Sequence, residues 1–370
     1  MSMLQKIFST AVLLNSICMA TPLFSSTINK QDNASSPLVL PQHKNNPLFE
    51  VELLCWWAKQ EGNDFAVTGS AITVPGTTDP NTSLTPASFT TAGEVYAPGP
   101  SIRPGFRVGL GVNLAQGGWD LIGEYTYFHG KASQSISSTD INTGLLPIFS
   151  YTPHNSILSQ ATFFAATGAT GFVADASSSW HLNFNNITLE LGKESAINEW
   201  LSLHHHFGLQ GSWQTQDTTT TYQVNSFSNL SSVLGNNKIL FHQNSWGIGL
   251  RYGLDTVWKC RNHLGVFANG ALAALWGQFK AQASSYDTNV SEGYENVLIS
   301  NQTNNLYTIS PVLQFAIGLQ TDWVFKTTYR FLAQAGWEEQ IWFFQNQHSS
   351  SIANTSLLLQ GLTVKFRFDF

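Results

Sequence analysis

The chain has 370 residues, enough for two ordinary domains or one large all-β unit, with 13% aromatic and only 11% charged residues. Ordinary soluble domains carry about 25% charged residues. A net charge of −6 excludes the basic footprint of a nucleic-acid binder. Near-neutral mean hydropathy (−0.07), without an apolar run of about 18 residues, excludes a bundle of membrane helices.

In chain order, residues 1–20 read as a secretory signal peptide. Lys6 supplies the positive end, "IFSTAVLLNSICMA" the apolar stretch, and Ala20 a small residue before the cleavage point. Ile17 stands where a lipoprotein would carry a small residue before Cys18. Cleavage after Ala20 leaves Cys55 and Cys260, too few for a disulfide framework. Residues 21–46, rich in Ser, Asn, Lys, Gln and Pro, read as a flexible periplasmic lead-in.

From Phe49 onward a period of two dominates. "FEVELLCWW" sets Phe49, Val51, Leu53 and Cys55 against Glu50 and Glu52. "GFRVGLGVNL", "WDLIGEYTYF", "LSLHHHFGLQGSW", "WGIGLRYGLD", "LQFAIGLQTDW" and "YRFLAQAGWEEQ" repeat the scheme. Successive side chains of a strand point to opposite faces, so each segment has one apolar and one polar side. Two segments are less regular. "WHLNFNNITLELG" changes parity around Asn185–Asn186, where a β-bulge is expected, and "HLGVFANGALAALWG" alternates weakly.

Ten strands are expected, near 48–59, 103–115, 119–129, 180–192, 200–214, 244–256, 262–277, 307–323, 328–340 and 355–370. The connections alternate. "AQGG", "KESAINE", "VWKCRN" and "VFKT" are short, whereas 60–102, 130–179, 215–243, 278–306 and 341–354 are long. Bulk at one end of every hairpin is the signature of an antiparallel up-and-down transmembrane barrel, with tight periplasmic turns and long outer loops. An even strand number puts both termini on the periplasmic side, and residues 47–370 form the barrel. Loops 60–102 and 130–179 are long enough to hide a further hairpin, which would make twelve strands. "ILSQATFFAATGATGF" is a candidate for folding inward as a constriction.

The tryptophans act as a ruler. Trp119, Trp200, Trp258 and Trp323 sit at short-turn ends, and Trp57, Trp180, Trp213, Trp246, Trp276 and Trp337 toward long-loop ends. Two aromatic girdles are expected, about 30 Å apart. The closing "GLTVKFRFDF" sends Phe366, Phe368 and Phe370 to lipid and Lys365 and Arg367 to the lumen. A terminal Phe on such a strand resembles the signal by which bacterial outer membrane proteins are handed to their assembly machinery.

The stretches "FEVELLCWWAKQEG", "PGFRVGLG", "GWDLIGEYTYFH", "LSLHHHFGLQGSW", "WGIGLRYGLDTVW", "ANGALAALWGQFK", "QAGWEEQIWFFQNQ" and "LLLQGLTVKFRFDF" resemble the Legionella-type pore-forming major outer membrane protein family, found also in environmental chlamydia-like bacteria. The likeness runs from Phe49 to Phe370. It implies a porin-like surface barrel without a cofactor. The chain departs from the family in its short lead-in and in the "HHH" run.

Candidate functional residues lie on the polar parity: Glu50, Glu52, Arg107, Asp120, Glu124, His204, His206, Arg251, Asp322, Arg330, Lys365 and Arg367. Pairing of the first and last strands would bring Glu50 and Glu52 near Lys365 and Arg367, a mildly stabilising arrangement. Of the histidine run, His204 and His206 share the lumen side while His205 faces lipid, and no carboxylate on the same strand completes a metal site. Ordinary lumen histidines or a pH-sensitive constriction are the two readings of that pair. The acids of the long loops (Asp175, Asp217, Asp287, Glu292, Glu295) are scattered and form no catalytic spacing, so no enzyme is expected. The expectation is passive diffusion of small hydrophilic solutes or ions. The alternative is a non-conducting surface barrel acting in adhesion or envelope structure through its long loops. The implied partners are outer membrane lipid or lipopolysaccharide, the assembly machinery and small polar solutes; a homo-oligomer stays open.

Overall fold

The computed structural model describes residues 46–72, 88–90, 93–114, 118–137, 143–148, 175–224, 235–261, 263–289, 294–325, 329–347 and 355–370. The signal peptide, the lead-in up to residue 45 and "ILSQATFFAATGATGF" lie outside the described residues. Ten long strands carry the fold: β1 (Asn46–Gln60), β6 (Arg103–Asn113), β7 (Trp119–Ser137), β9 (Asp175–Ala196), β10 (Leu201–Val224), β11 (Gly235–Arg261), β12 (Leu264–Asn289), β13 (Tyr294–Phe325), β14 (Tyr329–Trp342) and β15 (Leu357–Asp369). Each pairs antiparallel with its neighbour, β7 with β9, and β15 returns to β1, so the sheet closes into a ten-stranded barrel.

The seam between β1 and β15 has the expected register. Glu50 lies opposite Arg367 and Glu52 opposite Lys365. Gly118, at φ 69°, closes the first short turn, where a side chain would be strained.

Among the described residues five short strands lie between the long ones: β2 (Ala66–Ile72), β3 (Ser88–Thr90), β4 (Val95–Tyr96), β5 (Gly99–Pro100) and β8 (Thr143–Pro147). None adds to the ring, so the twelve-stranded option is not realised. Instead β2 pairs with β3, β4 and β8 in a separate small sheet. Phe65 and Leu145 of this region are buried against Ala176, Tyr222 and Ile239, on the inward faces of β9, β10 and β11. The Tyr222 hydroxyl donates to the Phe65 carbonyl at 2.6 Å.

Three expectations need correction. Stretches 215–243 and 278–306 are mostly strand: β10 runs 24 residues, β11 27, β12 26 and β13 32. Their outer portions, such as Thr218–Thr221, have water outside and polar groups inside, so no apolar alternation advertises them; β-branched threonine favours the strand nonetheless. Second, there is no bulge at Asn185–Asn186, because β9 pairs with β7 and β10 in unbroken register there. Third, Trp180 is not in a girdle. It is 1% exposed and points into the barrel.

The last two share one cause. Along β9 the inward residues are Trp180, Leu182 and Phe184, then Asn186, Thr188 and Glu190, while Ile187 and Leu189 are exposed outside. Where the strand crosses lipid, apolar side chains face out. Beyond the lipid they face in. Asn185–Asn186 marks the crossing between two solvents, with no change in geometry.

The nine other tryptophans of the expected girdles face outward. Near the outer boundary Tyr125 stacks on Trp213 (6.2 Å between centroids), and Trp246 meets Trp276, which stacks on Tyr307. Trp57 and Trp337 face outward on the same side. At the short-turn end, Trp323 stacks on Phe331, which touches Phe366 and Phe368. Trp213 is paired with Trp246, and Leu201, next to Trp200, with Trp258. The two girdles are thus in register, and Leu209, Ile248, Leu250, Leu272, Leu313 and Leu319 are exposed between them.

A charge tests this boundary. Leu250→Arg, in mid-belt, should cost about 2–4 kcal/mol in lipid vesicles, while Thr219→Arg, on the outward face beyond the girdle, should change stability by less than about 0.5 kcal/mol. Denaturant unfolding of both variants in phospholipid vesicles measures the difference.

Candidate functional site: a charged lumen beneath an aromatic plug

In the lower half of the lumen the inward parity of β1, β6, β7, β14 and β15 gathers one ionic network. Arg107 of β6 holds Glu52 at 2.5 Å and Glu338 at 2.8 Å. Lys365 lies between three carboxylates, Glu50 at 2.6 Å, Glu52 at 3.3 Å and Glu124 at 3.8 Å. Arg367 binds Glu50 at 3.3 Å and Asp369 at 2.7 Å. The carboxylates of Glu50, Glu52 and Glu124 lie within 4.8 Å of one another, a spacing that would suit a cation. The Lys365 ammonium already fills that role.

A second network uses β7, β9, β10 and β11. His204 faces Asp120 at 3.1 Å and Asp255 at 3.4 Å; His206 faces Glu190 at 2.7 Å and Asp255 at 3.5 Å. The two rings stack at 5.6 Å. Arg251 pairs with Glu190 and with the Gln314 side chain. Glycine makes room here: a Cβ on Gly192 or Gly253 would stand 2.2 Å from an imidazole atom of His204 or His206. His205 points outward to the Tyr252 hydroxyl at 3.1 Å. Asp322 and Arg330 form a looser pair at 3.7 Å.

All twelve candidate residues are therefore on the inner wall, in these three groups. Sequence reasoning missed four partners: Glu190, Asp255, Glu338 and Asp369. Three share parity with a chosen residue of their own strand, Asp255 with Arg251, Glu338 with Arg330 and Asp369 with Arg367, so their signal was in the alternation; Glu190 lies on β9, which supplied no candidate. The acids that complete the histidine pair come from neighbouring strands, which no single-strand reading can show.

Between the two networks lies a cavity of about 120 Å³. Charged groups form one wall and Asn269, Ala271 and Gly336 contribute to the other. Above it the lumen becomes apolar. Leu54, Trp56, Phe128, Trp180, Leu182, Phe184, Trp342, Leu357 and Leu359 form one buried cluster inside the ring. Phe184 meets Trp342 edge-on at 5.1 Å. Each indole N–H has an acceptor: Trp56 to Thr363 at 3.0 Å, Trp180 to Gln216 at 3.1 Å, Trp342 to Gln340 at 3.1 Å. Arg107 lies over the Trp56 ring at 5.7 Å, joining plug to network. The segment after β14 crosses to the opposite wall, where the Gln243 amide donates to the Gln345 carbonyl at 2.7 Å.

With the geometry in view, comparison with known proteins is informative. The Legionella pneumophila major outer membrane protein precursor family matches residues 40–370. The chain belongs to that family. The protein is accordingly an outer membrane β-barrel. No curated protein sequence matches. Among solved structures it is similar to the Ralstonia pickettii toluene transporter TbuX, with 11% identity, 90% of this chain and 92% of that one covered, and a TM-score of 0.28. It is also similar to the outer membrane protease OmpT of Escherichia coli, with 9% identity, 88% and 97% coverage, and a TM-score of 0.29. A Pseudomonas aeruginosa FadL homologue gives 8% identity, 88% and 90% coverage, and a TM-score of 0.26.

Removing Lys365 should strand three buried carboxylates. Lys365→Met is expected to cost about 3–5 kcal/mol, with part recovered in Lys365→Met/Glu50→Gln. Guanidinium unfolding in detergent, compared across wild type, single and double variants, measures both.

Proposed function

We propose that the protein passes small hydrophilic solutes or ions through the outer membrane by passive diffusion, with the charged half of the lumen as vestibule and the aromatic cluster as the gate that limits flow. The carrying observation is a gradient of exposure along the inner wall. In the vestibule the Lys365 and Asp255 side chains are 21% and 32% exposed, whereas Trp56, Trp180 and Trp342 in the gate are 0–1% exposed. Charges of both signs around the cavity give a transverse field that orients a dipolar solute. The reading includes no catalysis, since Lys, Arg or His engages each lumen carboxylate of both networks.

The gate also favours a second reading, a sealed barrel serving the envelope through its outer surface. Eight strands leave an interior filled by side chains and 16–18 leave a channel; ten lie near the filled end. Planar-bilayer recording separates the two. Small stepwise conductance in wild type, rising severalfold in Trp180→Ala/Trp342→Ala, is expected for a gated pore. A silent wild type with a conducting double variant would show a sealed barrel.

The histidine pair belongs to the vestibule, so protonation there alters the charge that a solute meets. Each ring stands between two carboxylates that hold its charge, so wild-type conductance should stay flat from pH 5 to 8 and change only at higher pH, a change that His204→Ala/His206→Ala should abolish. A wild-type change between pH 5 and 8 would show imidazoles that the acids do not hold.

A further inference from the structure

The plug is apolar on one side only. Along β10 the inward residues at this height are Gln210, Ser212, Gln214, Gln216, Thr218 and Thr220, all buried, and not one of them is apolar or charged. The register sets Ser212 beside Asn186 of β9, and Gln214 and Gln216 beside Ser245 and Gln243 of β11. At the lower end Asn186 and Thr188 line the charged cavity. At the upper end the Thr220 and Ser178 hydroxyls meet at 3.0 Å. At about 3.3 Å per residue and a tilt near 40°, Gln210 to Thr220 climbs roughly 25 Å. On the way the column passes Phe184, Leu182 and Trp180, which stand opposite Gln214, Gln216 and Thr218.

These groups hold more hydrogen-bonding capacity than the protein uses. The Gln214 amide donates to the Ser212 hydroxyl at 3.2 Å, yet its Oε1 accepts nothing; Gln216 accepts from the Trp180 indole, yet its Nε2 donates to nothing. Among the described residues the Thr188 and Thr218 hydroxyls and Gln345 Oε1 are unpartnered as well, and all five residues are only 2–5% exposed. A buried polar atom left unbonded is costly, so a run of them marks a place that suits a hydrogen-bonding molecule. Ser212, Gln214, Ser245 and Gln345 also border a cavity of about 20 Å³ beside Trp342, where Gly247 and Gly277 contribute no side chain. That is room for about one water-sized group.

We propose that this column is the route by which solute passes the aromatic cluster, and that it suits small uncharged hydrogen-bonding molecules, such as amides and polyols. The free carbonyl oxygens of Gln214 and Gln345 accept from the solute, and the free Gln216 amide and Thr218 hydroxyl donate to it, in exchange for its water. An ion fares worse, because no charged side chain stands on the column and removing a charge from water costs far more than removing an amide. The inference rests on the reading of the barrel as conducting, and names its path and its preferred class of solute.

The test uses the full barrel in phospholipid vesicles, with stopped-flow light scattering reading the swelling that follows solute entry. Above protein-free controls, urea should enter wild-type vesicles severalfold faster than glycine, a zwitterion of similar size. Gln214→Leu/Thr218→Val removes two unpartnered groups at nearly constant volume and should slow urea about tenfold. Gln214→Asn/Thr218→Ser keeps an amide and a hydroxyl, and Leu359→Met conserves volume on the wall across the ring; both should stay within about twofold of wild type. Heat-modifiable gel mobility checks that each variant is folded. A wild-type rate in the Leu/Val variant, an equal loss in the Asn/Ser or Leu359→Met variant, or glycine entering as fast as urea would overturn the proposal. Wild-type vesicles closed to both solutes, beside rapid entry in Trp180→Ala/Trp342→Ala, would overturn the conducting reading beneath it.

Discussion

Pairing of the first strand with the last governs everything else in this molecule. A sheet edge inside a bilayer would expose a row of unbonded N–H and C=O groups to hydrocarbon, at several kcal/mol each. Because β15 returns to β1 over Leu48–Gln60, the ring has no edge within the membrane. Closure also creates an inside, and only then can alternate residues of one strand meet different solvents. Phe368 and Lys365, three residues apart, are respectively exposed to lipid and locked to Glu50.

The lumen is organised by what an enclosed wall can tolerate. A charge in this setting needs a partner, and every acid in the two networks has one. Such networks add little net stability over apolar packing of the same shape, but losing one member is costly. Their value lies in keeping a polar, hydrated section of wall in fixed geometry around a cavity. Above that section the wall packs like an ordinary protein interior, with indole N–H groups satisfied and aromatic rings interlocked. The barrel is thus two environments in series, a hydrated vestibule and an aromatic plug, joined where Arg107 reaches from Glu52 and Glu338 to the face of Trp56.

Outside the barrel the same vertical order applies. The aromatic girdle locates the interface, and polar and basic side chains stand above it. Extending β9 to β13 well past that level provides an inner surface for the small sheet around Phe65.

Much of this architecture was legible in the amino-acid sequence. Eight clearly alternating segments, two weaker ones, the rhythm of short and long connections and the tryptophans at strand ends pointed to a closed barrel of ten strands, with twelve left open, and to the inward side of Glu50, Arg107, Lys365 and Arg367, because alternation reports the solvent on each face directly. The signal failed where both faces meet similar surroundings, as in the outer portion of β10, and it misled where the surroundings exchange sides, as at Asn185–Asn186. The tertiary structure alone decided which acids complete the histidine pair and that Trp56, Trp180 and Trp342 converge in the lumen. Those contacts join strands distant in sequence or depend on height above the membrane, and a residue's parity carries neither coordinate.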